Sequence, residues 1–577
     1  MFLQWVGCIV FPVANKKFIN NEQYPVFMIE LFTKKNIEIL ELLEKESLHM
    51  RDIAGRLDIS PAKVHSTLKL FKKNNLIKET KEKNKVIISL NRESSLLKDI
   101  QNLLNVDRNA SSFEPKINIF DTISPLDFRY YGRSEKIFQK LQPYLSENAM
   151  IRHMAKVESA LVMTLAKKGI CSGKIGEEIE KACSRVNAEE VYAEEDRVKH
   201  NVRALVNCIR GKVSDSAKPY VHFTATSHDI IATADAYRFK EFTNNALLPL
   251  LIEFERTLIE LALKNKEVIQ VGRTHGQHAV PITFGFAIAQ YVSRLGRAIM
   301  RIKRTGNDLR GKIAGAVGSY NASSLFFDNP EKFESEVLAE IGLKASPIST
   351  QIPEHEFMVS YINAIMEGFG ILANLADDMR HLQRSEIGEV AEVFGAKQVG
   401  SSTMPQKRNP INFENVKGLW KEFMPRMTTL YMDQISEHQR DLTNSATSRF
   451  VTEILAAFYL SVSRLDNTMK NLVVDKENIT RNFEMGKGMI VAEPLYILLA
   501  ANGHPDAHEA VRVLTLEAQR QGKPLQEIIK KESSLKPYLK KFSKKQSEII
   551  SNPEKYIGIA DRKTESICKF WKKELRI

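Results

Sequence analysis

Apolar residues fall at helical spacing along most of this chain. Ile362, Ile365, Met366, Phe369, Leu372, Leu375 and Met379 recur every three or four positions, which gathers them on one stripe of a long helix. Gly368 and Gly370 inside that stripe leave room for a second helix to approach closely. Comparable patterns run through 241–265, 284–304, 411–433 and 445–471, and few stretches alternate as strands do. Long helices joined by short loops predict an elongated bundle. The expected fold class is mainly α, with a small α+β domain ahead of the bundle.

That smaller domain has its own pattern. Ile37, Leu40 and Leu43, then Ile53, Ala54 and Leu57, mark two short amphipathic helices. Ser60-Pro61 supplies an N-cap and a proline for the first turn of a third helix. It turns Val64, Leu68 and Phe71 inward and Lys63, Lys69, Lys72 and Lys73 outward. Lys78 to Lys85 reads as a polar hairpin tip between Ile77 and Val86-Ile87-Ile88. This order resembles a winged helix-turn-helix over residues 34–106. From Arg51 to Lys85 there are ten Lys/Arg against four Asp/Glu. The resemblance therefore implies DNA as a partner, with Lys63, Lys69, Lys72, Lys73 and Lys83 as candidate contacts. A packing or assembly module with a solvated basic face is the alternative.

Residues 1–33 read as an N-terminal extension, because the apolar run Phe2–Ala14 is too short to span a bilayer and lacks a preceding basic segment. The polar stretch 107–117 reads as a linker. Beyond it, 118–230 is expected as a first helical domain, 231–474 as the central long-helix bundle and 475–577 as a helical cap. The lysines of 530–545 are expected to form a solvated face. No segment outside the N-terminal run is expected to approach membrane-spanning length. A chain of 577 residues exceeds one ordinary core, and its 27% charged content fits a globular protein. The net charge of +13 favours an anionic partner, phosphate-bearing substrate or nucleic acid. Cys8, Cys171, Cys183, Cys208 and Cys568 are odd in number and scattered, which argues for a reducing, cytoplasmic setting and against a disulfide framework.

Chemistry concentrates in five polar islands. The densest is Gly400-Ser401-Ser402-Thr403-Met404-Pro405-Gln406-Lys407-Arg408-Asn409-Pro410, a glycine-flanked loop that presents hydroxyls, a cation and an amide. Such a loop can clasp a carboxylate and act on a neighbouring C–H bond. Ser124–Gly132 joins Arg129 to Tyr130, suited to gripping a phosphate or carboxylate. His200 stands in His-Asn-Val-Arg, where a lone helical histidine is more often a packing residue. Thr226-Ser227-His228-Asp229 precedes a helix whose free N–H groups favour an anion. Gly272–Ala279 holds His275 between Thr274 and Gly276. His275 and His278 stand three apart without a carboxylate at metal-site spacing, so no metal is expected. The chain has no Gly-x-Gly-x-x-Gly or Walker-type loop, and no cofactor is expected.

The 400–410 loop resembles the signature loop of the fumarase/aspartase superfamily, and the five islands together resemble the adenylosuccinate lyase family over about residues 118–577. The resemblance implies a homotetramer of long-helix bundles. It also implies β-elimination of fumarate from adenylosuccinate, giving AMP, and from the succinyl-aminoimidazole-carboxamide ribotide of purine biosynthesis. Ser401 matches the general base and His275 the general acid, with Glu414 as its orienting partner. Lys407, Asn409, Thr226, Ser227 and Gln351 would stabilise the dianionic intermediate. Arg129, Tyr130, His200, Arg440, Ser445 and Arg449 would hold the phosphate and carboxylates. Phe128 and His228 depart from the family pattern, and so does the fused N-terminal module. Argininosuccinate lyase and carboxymuconate cycloisomerase carry related loops. A DNA-binding regulator built on a lyase body is the rival from another class, and the intact Ser401, Lys407, Asn409 and His275 argue against a dead body.

Overall fold

The structure, a computed structural model, describes residues 33–82, 85–97, 122–395 and 400–577. It divides into two compact units, Met1–Ile117 and Asn118–Ile577. Lys83, the linker 107–117 and residues 1–32 lie outside the described residues.

In the first unit, α1 (Lys34–Lys45), β1 (Leu48–His49), α2 (Met50–Arg56), α3 (Pro61–Lys73), β2 (Ile77–Glu82) and β3 (Lys85–Leu90) follow one another. Ser60 caps α3, its hydroxyl accepting from the Lys63 N–H at 3.3 Å, with Pro61 in the first turn. Ile39, Ile53, Val64 and Phe71 are fully buried and form the centre of a small separate core. The strands run in the order β1-β3-β2. β2 and β3 pair from Ile77–Leu90 to Glu82–Lys85. Most of the stretch expected as a polar tip is thus strand: its side chains face water, but its backbone is satisfied by the ladder. Lys63, Lys69, Lys72 and Lys73 are exposed along α3. Lys72 is paired with Glu79 and Lys78 with Glu93, so part of the basic face is neutralised internally.

The second unit is a helical bundle. Its principal members are α4 (Glu147–Lys167), α5 (Asn201–Arg210), α6 (Ser227–Phe242), α7 (Leu248–Lys264), α8 (Phe284–Asn307), α9 (Glu356–Leu382), α10 (Ile411–Phe423), α11 (Val451–Lys470) and α12 (Ala560–Leu575). α8 packs on α7, α9 and α12, while α10 and α11 close over α9 and α7. α6 runs through residue 230 without a break, then passes through a wide turn at Thr243–Leu247 into α7. The helix expected over 411–433 breaks at Met424–Arg426, where Pro425 has no N–H to continue the ladder. Gly296 and Gly368 are among the glycines that set helix spacing. A Cβ on Gly296 would lie 2.4 Å from the Trp571 ring, and one on Gly368 3.0 Å from Phe458. α9, contrary to expectation, is long and apolar enough by composition to cross a membrane, but its stripe from Val359 to Met379 is buried in the bundle. A smaller core of Leu495, Leu499, Val511, Leu525 and Ile529 lies toward the C-terminus.

Glu255 stands apart from the other buried charged residues. Glu255 on α7 is fully buried, neither carboxyl oxygen has a hydrogen-bond partner among the described residues, and burial pushes its pKa up to about 9. Cys568 lies close to it, its thiol pushed up to about 11 by burial and by the Glu255 carboxyl. The unfolded carboxyl ionises near its ordinary 4.5 while the folded one stays protonated to about 9, so stability falls as pH rises between those values. Glu255→Gln removes this liability with little change of volume. Its melting temperature relative to wild type should rise steadily from pH 5.5 to 8.5, measured by scanning calorimetry, and a constant difference would refute the assignment.

Candidate active site

The serine loop is built on its own backbone. Ser401 Oγ accepts from the N–H groups of Thr403 at 3.3 Å and Met404 at 3.1 Å. Asn409 Nδ2 donates to the Gly400 carbonyl at 2.9 Å, which closes the loop. A Cβ on Gly400 would lie 2.0 Å from the Lys407 carbonyl oxygen, so only glycine permits this closure. Lys407 is exposed, and Ser401 and Asn409 are half-buried. Behind the loop, Glu392 accepts from the N–H groups of Asn412 and Phe413 at 2.9 and 3.0 Å, capping the start of α10. Arg464 reaches Asn412 Oδ1 at 2.8 Å and steadies the same corner. Asn415 donates to the Tyr130 hydroxyl at 3.0 Å, which brings the Arg129–Tyr130 segment to the N-terminal half of α10. Arg129 and Glu414 are exposed.

His275 sits in structure that the sequence reading did not foresee. β4 (Ile269–Thr274) and β5 (Gln277–Thr283) form a hairpin, and His275 and Gly276 at its tip have φ of 54° and 72°. Two successive left-handed residues make a tight turn that holds the imidazole clear of the strands. The hairpin is anchored at its base, where buried Glu389 accepts from Gln270, from Arg273 at 2.6 Å and from Asn482 at 2.9 Å. His200 is likewise not inside a helix. It is the N-cap of α5, its Nδ1 accepting from the Arg203 N–H at 3.3 Å, and the ring is exposed.

Thr226 caps α6 in a reciprocal capping box with Asp229, which returns a 2.8 Å bond to the Thr226 N–H. His228, in the first turn, is held below its usual pKa by burial and by the Lys312 and Arg440 cations. His222, just upstream, meets the Glu158 carboxylate at 2.6 Å, which overrides the cost of its burial and keeps its pKa raised. Arg440 has a φ of 116° and donates to the Asp433 carbonyl at 2.9 Å, while its Nε and Nη2 are buried without a hydrogen-bond partner among the described residues. The Gln351 N–H donates to the Gln439 carbonyl at 3.2 Å, so Gln351 and Arg440 lie on adjoining backbone. Ser445 and Arg449 follow on the short exposed turns before α11.

The chain thus forms three partial clusters. One joins Ser401, Lys407, Asn409 and Tyr130. Another joins Thr226, Ser227, Gln351 and Arg440. The third is the His275 hairpin. Among the described residues no hydrogen bond or ion pair links His275 to Glu414 or to Ser401. Sequence reasoning missed the supports Glu389, Glu392 and Lys312. Only Asp229 left a readable signal, the Thr-x-x-Asp spacing of the capping box.

The sequence and the fold of the second unit have known counterparts. Residues 128–423 match the family described as lyase, and 436–556 match the adenylosuccinate lyase C-terminal family. The fold is similar to that of a fumarate lyase from Mesorhizobium sp. BNC1, with a TM-score of 0.66 and 21% identity over 75% of this chain and 97% of that one. It is also similar to the 3-carboxy-cis,cis-muconate lactonizing enzyme of Pseudomonas putida, with a TM-score of 0.66, 23% identity, and coverage of 79% and 100%. Bundle and signature loop together define a lyase body of the fumarase/aspartase type. Sequence relatives narrow this. The adenylosuccinate lyase of Archaeoglobus fulgidus is 34% identical over 78% of this chain and 98% of its own length. That of Bacillus subtilis is 32% identical over 59% and 78%. The chain belongs to the adenylosuccinate lyase family, and its reaction is that of a C–N lyase releasing fumarate.

Gly400→Ala tests the closed form of the loop. It should lower kcat at least tenfold while the melting temperature moves by no more than about 2 °C, since the loop contributes little buried surface. Steady-state kinetics beside calorimetry reads both, and unchanged kcat would show that the loop works in another conformation.

Proposed function

We propose that the chain cleaves adenylosuccinate to AMP and fumarate, and the related succinyl-carboxamide ribotide, with Ser401 as base and His275 as acid. The observation that carries this is the pair of backbone N–H groups aimed at Ser401 Oγ on a glycine-closed loop. Ser401 takes the Cβ proton beside a substrate carboxylate. The electron pair moves into that carboxylate as a dianionic intermediate, then returns as the C–N bond breaks. His275 protonates the departing purine nitrogen, so one proton is taken and one supplied.

Magnitudes assign the remaining roles. Two hydrogen bonds to an alkoxide at these lengths are worth about 1.5 kcal/mol apiece at the weak end, or about 3 kcal/mol together. That is about two orders of magnitude in acidity, well short of what an alcohol needs near neutral pH. The rest must come from a cation, and Lys407 on the same loop is the candidate, approaching as the loop closes over substrate. Asn409, Thr226, Ser227 and Gln351 supply donors to the dianion. Arg129, Tyr130, His200, Arg440, Ser445 and Arg449 hold the phosphate and the second carboxylate. Arg440 supports this reading, because a buried guanidinium edge without a partner suits an anionic ligand.

The three partial clusters imply that a working site is assembled from several copies, which fits the homotetramer of the family, with Glu414 meeting His275 across an interface. A cytoplasmic setting accords with the four free thiols among the described residues. For the first unit we propose a winged-helix module, residues 34–106, that contacts duplex DNA through Lys63, Lys69 and Lys73 on α3. Lys83, outside the described residues, is the remaining candidate contact. Lys72 contributes less, because Glu79 already pairs with it.

Ser401→Ala should cut kcat by about 10²-fold or more, the range for loss of a general base, with KM changed by less than threefold. Retention of a tenth of wild-type kcat, in a fumarate-release assay, would remove Ser401 from the base role.

Removal of residues 1–115 should leave that turnover within about twofold of the full chain. The full chain, unlike the truncated one, should retard duplex DNA with an affinity that falls as salt rises, in proportion to the phosphates neutralised. Loss of turnover would make the first unit structural, and a salt-insensitive or absent shift would end the DNA reading.

A further inference from the structure

Asp229 and Lys312 form a salt bridge in which both side chains are fully buried, with 2.5 Å between Nζ and Oδ1. Neither residue belongs to the catalytic set described above. Asp229 Oδ2 holds the Thr226 N–H at 2.8 Å, and the carboxylate also accepts from Ala314 at 3.2 Å and from Gly315 at 3.2 and 3.3 Å. Lys312 Nζ donates in addition to the Gly315 carbonyl at 2.8 Å. Thr233, one turn along α6, both accepts from the Lys312 N–H and donates to the Lys312 carbonyl at 2.9 Å. One ion pair thus fastens the N-terminus of α6 to the turn that begins at Gly315.

That turn is shaped for close contact elsewhere. Gly315 and Gly318 have φ of 81° and 79°, and a Cβ on Gly318 would lie 1.9 Å from the Ser349 carbonyl oxygen and 2.9 Å from that of Thr350. The 315–318 turn therefore rests directly against the backbone that leads into Gln351. Through it, Asp229 and Lys312 fix the spacing between Thr226-Ser227 on one side and Gln351 on the other. An apolar pair of equal volume would fill the same space, often at no cost in stability. It could not hold four backbone groups at set distances.

We propose that Asp229 and Lys312 are positioning residues, which set the donors Thr226, Ser227 and Gln351 at the spacing that the dianionic intermediate requires. The proposal rests on the adenylosuccinate-cleaving reading for the identity of that intermediate. It predicts an effect on the transition state rather than on substrate capture, because donors displaced by a fraction of an ångström lose most where charge is greatest.

Single substitutions leave a buried charge without its partner and unfold readily, so the informative variant is the neutral pair Asp229→Asn with Lys312→Met. It should melt within about 5 °C of wild type, exchange the amides of 226–229 and 313–318 faster, and lose at least about thirtyfold in kcat with KM within about threefold. Normal exchange protection, or kcat within threefold of wild type, would overturn the proposal. If the pair variant does not melt cooperatively, Thr233→Val takes its place, since it loosens Lys312 without touching a charge. It should raise the same local exchange and lower kcat at least threefold, and no change in either would overturn the proposal. A wild-type enzyme inert on adenylosuccinate would refute the reaction, while the exchange measurement would still decide the positioning claim.

Discussion

An alcohol gives up its proton at neutral pH only where the resulting alkoxide finds donors already in place, and the role proposed for Ser401 sets that requirement on the second unit. Backbone N–H groups are the cheapest fixed donors a chain has, but they point at a side chain only in a tight turn. The turn at Ser401–Met404 needs Gly400 against the Lys407 carbonyl, Asn409 to close it and Glu392 to anchor the helix that follows. Behind these stands a bundle whose interior is apolar and close-packed, with glycines at 296 and 368 where neighbouring rings press closest. Rigid helices hold short connecting segments, and those segments carry the residues proposed for the chemistry.

Each half-formed cluster follows the same scheme, a buried carboxylate gathering backbone, amide or cationic donors. Glu389 does so for the histidine hairpin, Glu392 for the serine loop and Asp229 for the threonine cap. Burying a carboxylate is expensive unless nearly every lone pair is satisfied, so each of these groups specifies one local geometry. Glu255 shows the contrary case. With no partner on either oxygen it stays protonated, and it organises nothing around itself.

The helices were legible because a period of 3.6 survives along the whole of α9, from Val359 to Met379, and burial on one stripe leaves little freedom in where it faces. The signature loop was legible because its order of hydroxyls, lysine and asparagine is chemically unusual. The β4–β5 hairpin was not, because the irregular register between Val271 and Arg273 disrupts its alternation and its tip is wholly polar. The capping position of His200 was not legible either, since an N-cap histidine leaves no periodic trace. Lys312 and Glu389 escaped because their partners lie 83 and 116 residues away, and no spacing rule reaches so far.

Glu389 also bears on how such chains diverge. It stands in the stretch that matches the lyase family, yet one of its donors, Asn482, lies in the stretch that matches the separate C-terminal family. The seam between two recognisable sequence blocks is therefore crossed by a buried, charge-assisted bond. Exchanging the C-terminal block with that of a distant relative would take one of three donors, beside Gln270 and Arg273, from a buried carboxylate beneath the histidine hairpin unless an amide arrived at the same place. The two blocks can drift in sequence at their own rates, but at this point they are inherited as one.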